Sequence, residues 1–223
     1  MGSPKNIEIE LRYRILDQTG LQQFIASLAF VHRKHIIDIY LDTTDAILLE
    51  RGIYIRLRNN QKIDIKFNRA CLEDPMLEPQ PYCEDHSFKL PLMHEQLPEF
   101  NDVIRYLGLQ EAQTLEEFKA YNNFIDHRIV DKVRSTHTFE DFVIVIDEVK
   151  SLGTFLEIEI MAQNTNELDA ITQRMQEILS PLKLEQLKIG TEALLLRKQN
   201  FQHYLKSRYI LPEDKKRYRT PDL

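Results

Sequence analysis

The sequence predicts an α+β fold in which a sheet closes into a barrel around a charged lumen, with helices packed outside. Two observations carry this. Strand-length segments that alternate hydrocarbon with charge recur along the chain, which is the period-two signature of a strand with one apolar and one polar face. Between them lie segments with apolar residues at helical spacing, which supply cover for the apolar faces. Once those faces are covered, the charged faces must line water or a cavity, and a closed barrel with a charged lumen uses every one of them.

The elements follow in order. Ile7 to Ile15 sets Ile7, Ile9, Leu11, Tyr13 and Ile15 against Glu8, Glu10, Arg12 and Arg14. Leu21, Phe24, Ile25 and Leu28 then have helical spacing. Ile36–Asp42 opposes Ile37, Ile39 and Leu41 to Asp38, Tyr40 and Asp42, and Ile53–Arg58 opposes Ile53, Ile55 and Leu57 to Tyr54, Arg56 and Arg58. Lys62–Arg69 puts Ile63, Ile65 and Phe67 against Lys62, Asp64, Lys66 and Asn68. Asp74 to Pro81 holds three prolines in eight residues and reads as a loop. Phe100, Val103, Ile104 and Leu107 predict a second helix. Arg128–Arg134, Phe142–Val149 and Thr154–Met161 are strands, and Leu168, Ile171, Met175, Ile178 and Leu182 mark a third helix capped at Asn166 or Thr165, with Pro181 near its end.

Composition narrows the class without choosing a function. With 223 residues, 43% hydrophobic and 29% charged, the chain is long enough for a substantial globular core. No apolar run reaches the roughly 18–20 residues of a membrane span, and the charged N-terminus lacks a signal-peptide core, so the cytoplasm is expected. The formal net charge of −6 argues against general affinity for a nucleic-acid backbone. From His203 onward six Lys/Arg stand against three Asp/Glu, so residues 1–202 read as one domain and 203–223 as a solvated basic tail. Cys71 and Cys83 lack metal-type spacing, as do the seven histidines. Arg51-Gly52 reads as a turn, since no phosphate-loop fingerprint accompanies it.

The polar strand faces carry more charge than solvation needs, and the signs are partitioned. Glu8/Glu10 and Glu157/Glu159 form two Glu-x-Glu pairs more than 140 residues apart. Residues i and i+2 of a strand share a face about 6.5–7 Å apart. Two such pairs facing each other offer hard carboxylate ligands suited to Mg²⁺ or Mn²⁺. Arg56/Arg58, Lys66 and Lys132/Arg134 suit phosphate oxygens, Arg bidentately.

The ordered set resembles the CYTH superfamily of triphosphate tunnel metalloenzymes. Glu8-Ile9-Glu10-Leu11-Arg12 resembles its opening Glu-x-Glu-x-Lys, with Arg for Lys, and Tyr40-Leu41-Asp42-Thr43 its Tyr-x-Asp-Thr, with Thr44 in place of the usual Pro. Leu48 to Arg58, Asp64-Ile65-Lys66-Phe67, Lys132-Val133-Arg134 and Asp147 through Glu159 are similar to its later elements, so the likeness spans about residues 6 to 197. It implies an eight-stranded antiparallel tunnel in which Glu8, Glu10, Glu157, Glu159 and Asp147 hold the metal. Arg12, Arg56, Arg58, Lys66, Lys132 and Arg134 would grip a triphosphate-bearing small molecule. Tyr40 and Lys66 match the family's catalytic pair, and a lysine crowded by cations is expected to have a lowered pKa. Three departures stand out: Arg12 replaces the lysine and cannot lose its proton, Tyr82-Cys83-Glu84 replaces an Arg-x-Glu, and Gly190-Thr191 replaces a Ser-Tyr, preceded here by Lys188. The resemblance implies metal-dependent triphosphate hydrolysis, with inorganic tripolyphosphate, thiamine triphosphate or a nucleoside triphosphate as substrate. Class IV adenylate cyclase is the alternative, and a non-catalytic polyphosphate or nucleotide binder a third reading. Oligomeric state is open.

Overall fold

A strand whose two faces differ this sharply must put hydrocarbon on one side and charge on the other. The chain does so by closing its sheet. The computed structural model describes residues 7–78 and 80–218, the last three by backbone alone. In order the elements are β1 (Ile7–Ile15), α1 (Gln18–Ala26), β2 (Ala29–Asp42), α2 (Ile47–Arg51), β3 (Tyr54–Arg58), β4 (Lys62–Phe67), α3 (Arg69–Glu73), β5 (Tyr82–Lys89), α4 (Leu97–Tyr106), α5 (Leu115–Tyr121), β6 (Ile125–Phe139), β7 (Phe142–Val149), β8 (Gly153–Ala162), α6 (Leu168–Leu179), β9 (Leu184–Leu187), α7 (Thr191–Gln199), α8 (Phe201–Leu205) and α9 (Pro212–Tyr218).

The strand order is β5-β4-β3-β2-β6-β7-β8-β1, and β1 pairs back to β5, which closes an eight-stranded antiparallel barrel. The seam on β1 is shared. Ile7–Ile9 pair with Tyr82–Glu84 of β5, whereas Arg12–Ile15 pair with Leu184–Leu187 of β9. A closed sheet leaves fewer unpaired edges to other chains.

Three apolar groups surround the barrel. Phe100, Val103 and Ile104 of α4 and Phe118 of α5 cover Ile55, Leu57, Ile63, Ile65 and Phe88, and Phe88, Phe100, Phe118 and Phe124 form an edge-to-face series at 5.3–5.4 Å. Leu21 of α1 and Met175, Ile178 and Leu179 of α6 cover Ile9, Leu11, Ile144, Leu156 and Ile158. The third group is different. Val130, Val149, Phe155 and Leu187 pack against Ala193, Leu194, Leu195 and Leu196 of α7, yet Val130, Val149 and Phe155 share their strand faces with the lumen residues Lys132, Asp147 and Glu157. Helix α7 therefore plugs one end of the barrel with hydrocarbon.

Residues 203–215, expected as part of a solvated tail, lie against this plug. Tyr204 is fully buried, and its hydroxyl donates to Asp214 at 3.0 Å and accepts from the Leu211 amide at 2.7 Å. Arg197 closes the clamp on Asp214 at 2.7 and 3.0 Å. Residues 219–223 lie outside the described residues. Gly52 caps α2 at φ 73°, and a Cβ there would meet Arg208 and Tyr209 at 3.0–3.1 Å, so left-handed backbone and close approach both require glycine.

Several elements differ from expectation. Strand β2 begins seven residues before Ile36 and β6 ends five after Arg134, because the two pair with each other along almost their whole length. On their outer face Ile39 and Leu41 pack with Phe100, Ile104 and Phe118, whereas Ile37 and Ile129 are exposed. Helix α6 starts at Leu168 with Glu167 in the cap position and no side-chain cap bond; the Asn164 side chain accepts from the Asn166 amide instead. Helix α5 carries a capping box of Thr114 and Glu117.

The alternation predicts opposite effects for neighbours on β8. Ile158→Ala should lower unfolding free energy by about 2–5 kcal/mol through the cavity it leaves under α6. Glu159→Gln should leave metal-free stability unchanged or higher. Chemical denaturation of both variants checks this, and equal losses would contradict the assignment of faces.

Candidate active site in the barrel lumen

The lumen is a cavity of about 680 Å³, and its walls include Glu8, Glu10, Arg12, Tyr40, Arg56, Arg58, Lys66, Lys132, Arg134, Glu157 and Glu159. Strand parity puts them there. Glu10 stands opposite Glu159 across the β1–β8 pair, and Arg12 opposite Glu157. One carboxylate oxygen from each of Glu8, Glu10 and Glu159 lies within 4.8 Å of the other two. The site thus offers three hard oxygen donors at a spacing that fits a divalent cation such as Mg²⁺ or Mn²⁺.

Electrostatics agree with that fit. Burial, together with the charges of Glu8 and Glu10, pushes Glu159 up to about 8. Burial also raises Glu10, against the pull of Arg12. Glu8 is held below its usual range, because the neighbouring Lys66 ammonium outweighs the effect of burial. Three crowded carboxylates in a low-dielectric cavity repel one another, and a dication would relieve that repulsion.

Glu157 and Asp147 do other work. Glu157 accepts from Arg12 at 2.6 Å and from Arg134 at 2.8 Å. Asp147, with no exposure, accepts from Lys132 at 2.7 Å and from Arg134 at 2.6 and 2.7 Å. Both anchor cations rather than join the acid trio. Two further carboxylates serve the same purpose. Asp38 takes both forks of Arg58 at 2.8 and 3.0 Å and lies 3.6 Å from Arg56, while Asp64 holds Arg56 at 3.0 Å and Lys62 at 2.8 Å. Strand parity with Tyr40 and Lys66 was the signal that would have found Asp38 and Asp64.

The cations so held still reach the cavity. Arg12, Arg56, Arg58, Lys66 and Arg134 keep 13–20% of their side chains exposed, whereas Lys132 keeps 3% and sits behind them. Arg12 spans Glu10, Glu157 and the Ile189 carbonyl. A guanidinium fork can do this, and a lysine ammonium in its place would reach fewer partners.

Tyr40 and Lys66 both face the lumen but do not bond each other. The Tyr40 hydroxyl accepts from Arg56 at 3.5 Å, and burial pushes it up to about 12. Lys66 bonds Glu8 and lies 3.2 Å from Asp85. The expected lowering of the Lys66 pKa is overturned: burial acts in that direction, but Glu8 and Asp85 hold it well above its ordinary value. The lysine that is lowered is Lys132, by burial and the adjacent Arg134.

The middle strand also corrects the sequence reading. Cys83 and Asp85 line the lumen, while Glu84 faces outward and is held by Arg69 at 2.6 and 2.9 Å. A one-residue slip exchanges the faces of a strand, so the strand parity of β5 points Cys83 and Asp85, rather than Glu84, into the lumen, with Tyr82 at the edge of the cavity. Glu192 of α7 and Lys188 also reach the cavity.

Comparison with known proteins agrees with this geometry. A Methanocaldococcus jannaschii protein provisionally named an adenylate cyclase is 24% identical over 191 residues, 85% of this chain and 97% of that protein. The structure of a Pyrococcus horikoshii protein matches with TM-score 0.60 at 19% identity, covering 86% of this chain and 99% of the other. A Hippeastrum protein provisionally named an adenylyl cyclase, and described as having a dominant triphosphatase activity, matches with TM-score 0.55 at 15% identity over 93% and 98% of the two chains. The CYTH domain family matches residues 6–189, which contain the whole barrel and every residue of the acid trio and cation wall, and the chain belongs to that family.

Proposed function

We propose that the protein hydrolyses the terminal phosphate of a triphosphate inside the barrel, with Mg²⁺ or Mn²⁺ held by Glu8, Glu10 and Glu159. The observation that carries this reading is the union, in one cavity, of a three-carboxylate cluster and a wall of cations that still reach the lumen. When held by Glu8, Glu10 and Glu159, the dication would offset the charge that gathers on the phosphate oxygens.

The chain's own residues account for the rest. Arg12, Arg56, Arg58 and Arg134 have N–H donors beyond those spent on their carboxylate partners, and these suit the equatorial oxygens of a transferring phosphoryl group. Phosphoryl transfer through a loose transition state asks mainly for positioning and charge stabilisation, so Lys66 acts as a fixed cation and does not need to lose its proton. The Tyr40 oxygen accepts from Arg56, which leaves its O–H free to orient the attacking water. The hydrocarbon plug of α7 closes one end of the lumen and limits entry of bulk water there.

A second reading is cyclisation of ATP, with the ribose 3′-hydroxyl attacking the α-phosphorus and pyrophosphate leaving. The name of the Methanocaldococcus jannaschii relative favours it; the described activity of the Hippeastrum protein favours hydrolysis. Incubation with tripolyphosphate, thiamine triphosphate and ATP under Mg²⁺ and Mn²⁺ separates the two. Orthophosphate is expected, and a protein yielding only cyclic AMP and pyrophosphate would be a cyclase.

Tyr40→Phe should slow orthophosphate release by roughly 10²–10⁴-fold with little change in KM, whereas a cyclase would tolerate the change. Titration calorimetry with Mn²⁺ alone tests the metal set. Glu159→Gln should weaken binding on the order of 10-fold or more, and Asp147→Asn should leave it nearly unaltered. The reverse ranking would move the metal to the Asp147 side of the lumen.

A further inference from the structure

Outside the acid trio, the lumen carboxylates Asp38, Asp64, Asp85, Asp147 and Glu157 are each bonded to a cation. Glu192 is the exception. It is 6% exposed, it lines the cavity, and no hydrogen bond or ion pair joins its carboxylate to another described residue. Its charge acts on Arg12, Tyr40 and Tyr54 across the cavity. Room is made for it: a Cβ on Gly190 would collide with the Glu192 carboxylate, although Gly190 has an ordinary φ of −72° that any residue adopts.

Burying a carboxylate without a partner is costly. Its place in the first turn of α7 offsets part of that cost through the helix dipole. A charge kept unpaired beside a phosphate-binding wall repels a further phosphate and attracts N–H, O–H or cationic groups. The rings of Tyr54 and Tyr209 also line the cavity, Tyr54 within reach of the charges of Glu192 and Tyr209, and suit a flat organic group. We propose that the end closed by α7 is a recognition niche for the organic group carrying the triphosphate. Glu192 is its specificity-determining residue, accepting hydrogen bonds from that group and weakening, without abolishing, the binding of inorganic tripolyphosphate. The inference rests on the triphosphate reading of the lumen.

Binding, rather than turnover, tests it. Calorimetry compares Mn²⁺ complexes of tripolyphosphate, methyl triphosphate, ATP and thiamine triphosphate on wild type, Glu192→Gln and Gly190→Ala. Methyl triphosphate has the ester charge but no donor. Wild type should bind at least one of the two donor-bearing compounds about 10-fold or more tighter than methyl triphosphate, as expected for hydrogen bonds to a charged acceptor. Glu192→Gln should erase that margin and strengthen tripolyphosphate binding. Gly190→Ala, which keeps the charge but fills its place, should also reduce the margin. The proposal is overturned when neither compound exceeds methyl triphosphate, or when Glu192→Gln shifts all four complexes by one factor. A protein that shows the margin yet releases no orthophosphate would lose the hydrolase reading and keep this one, and one that binds no triphosphate loses both.

Discussion

Guanidinium and ammonium groups inside a barrel repel one another in a medium that screens poorly, and their desolvation is tolerable only when each is bonded to a carboxylate. Asp38, Asp64, Asp147 and Glu157 meet that condition. Asp38 belongs to β2 and holds Arg58 and Arg56 of β3; Asp147 belongs to β7 and holds Lys132 and Arg134 of β6; Glu157 of β8 ties Arg134 to Arg12 of β1. The pairs run from strand to strand around the lumen. Removing a carboxylate from this ring would leave its partners buried and uncompensated, so the charged interior and the closed barrel depend on each other.

That pairing also prepares the site. A guanidinium already fixed by one carboxylate has little rotamer freedom left to lose when it meets an anion. The acid trio is held on the same terms: Lys66 steadies Glu8 and Arg12 steadies Glu10, while Glu159 has no cation bonded to it among the described residues. Guanidinium donors and carboxylate acceptors therefore share one cavity without neutralising each other completely. The plug α7 and the clamp of Arg197, Tyr204 and Asp214 hold the closed end in shape.

Much of this was legible because side-chain parity on a strand is strict. Strand β1 begins and ends where its alternation does, and β7 has the bounds expected of it; the partition of charge on β1, β3, β4 and β8 identified the lumen. Legibility failed where parity does not apply. Helix α7 contains the run Ala193–Leu196, buried throughout; a segment covered on every side has no polar face and hence no period. Glu192 was invisible for the same reason. Helices α2 and α3 have five residues each, too short to show periodicity. On β5 the motif was read one residue out of step, and such a slip transfers every side chain to the opposite face. The pKa of Lys66 depended on Glu8, which is remote in sequence, and a count of nearby cations in the motif does not reveal that contact.

The central claim is that one lumen holds a dication on Glu8, Glu10 and Glu159 while Arg12, Arg56, Arg58 and Arg134 hold the phosphates. A crystal structure with Mn²⁺ and a non-hydrolysable imido analogue of tripolyphosphate, with data collected for manganese anomalous scattering, tests it most directly. The account predicts an anomalous peak bounded by the three glutamates, with phosphate oxygens on those four arginines. A peak between Asp147 and Glu157, or a ligand bound outside the barrel, would contradict it.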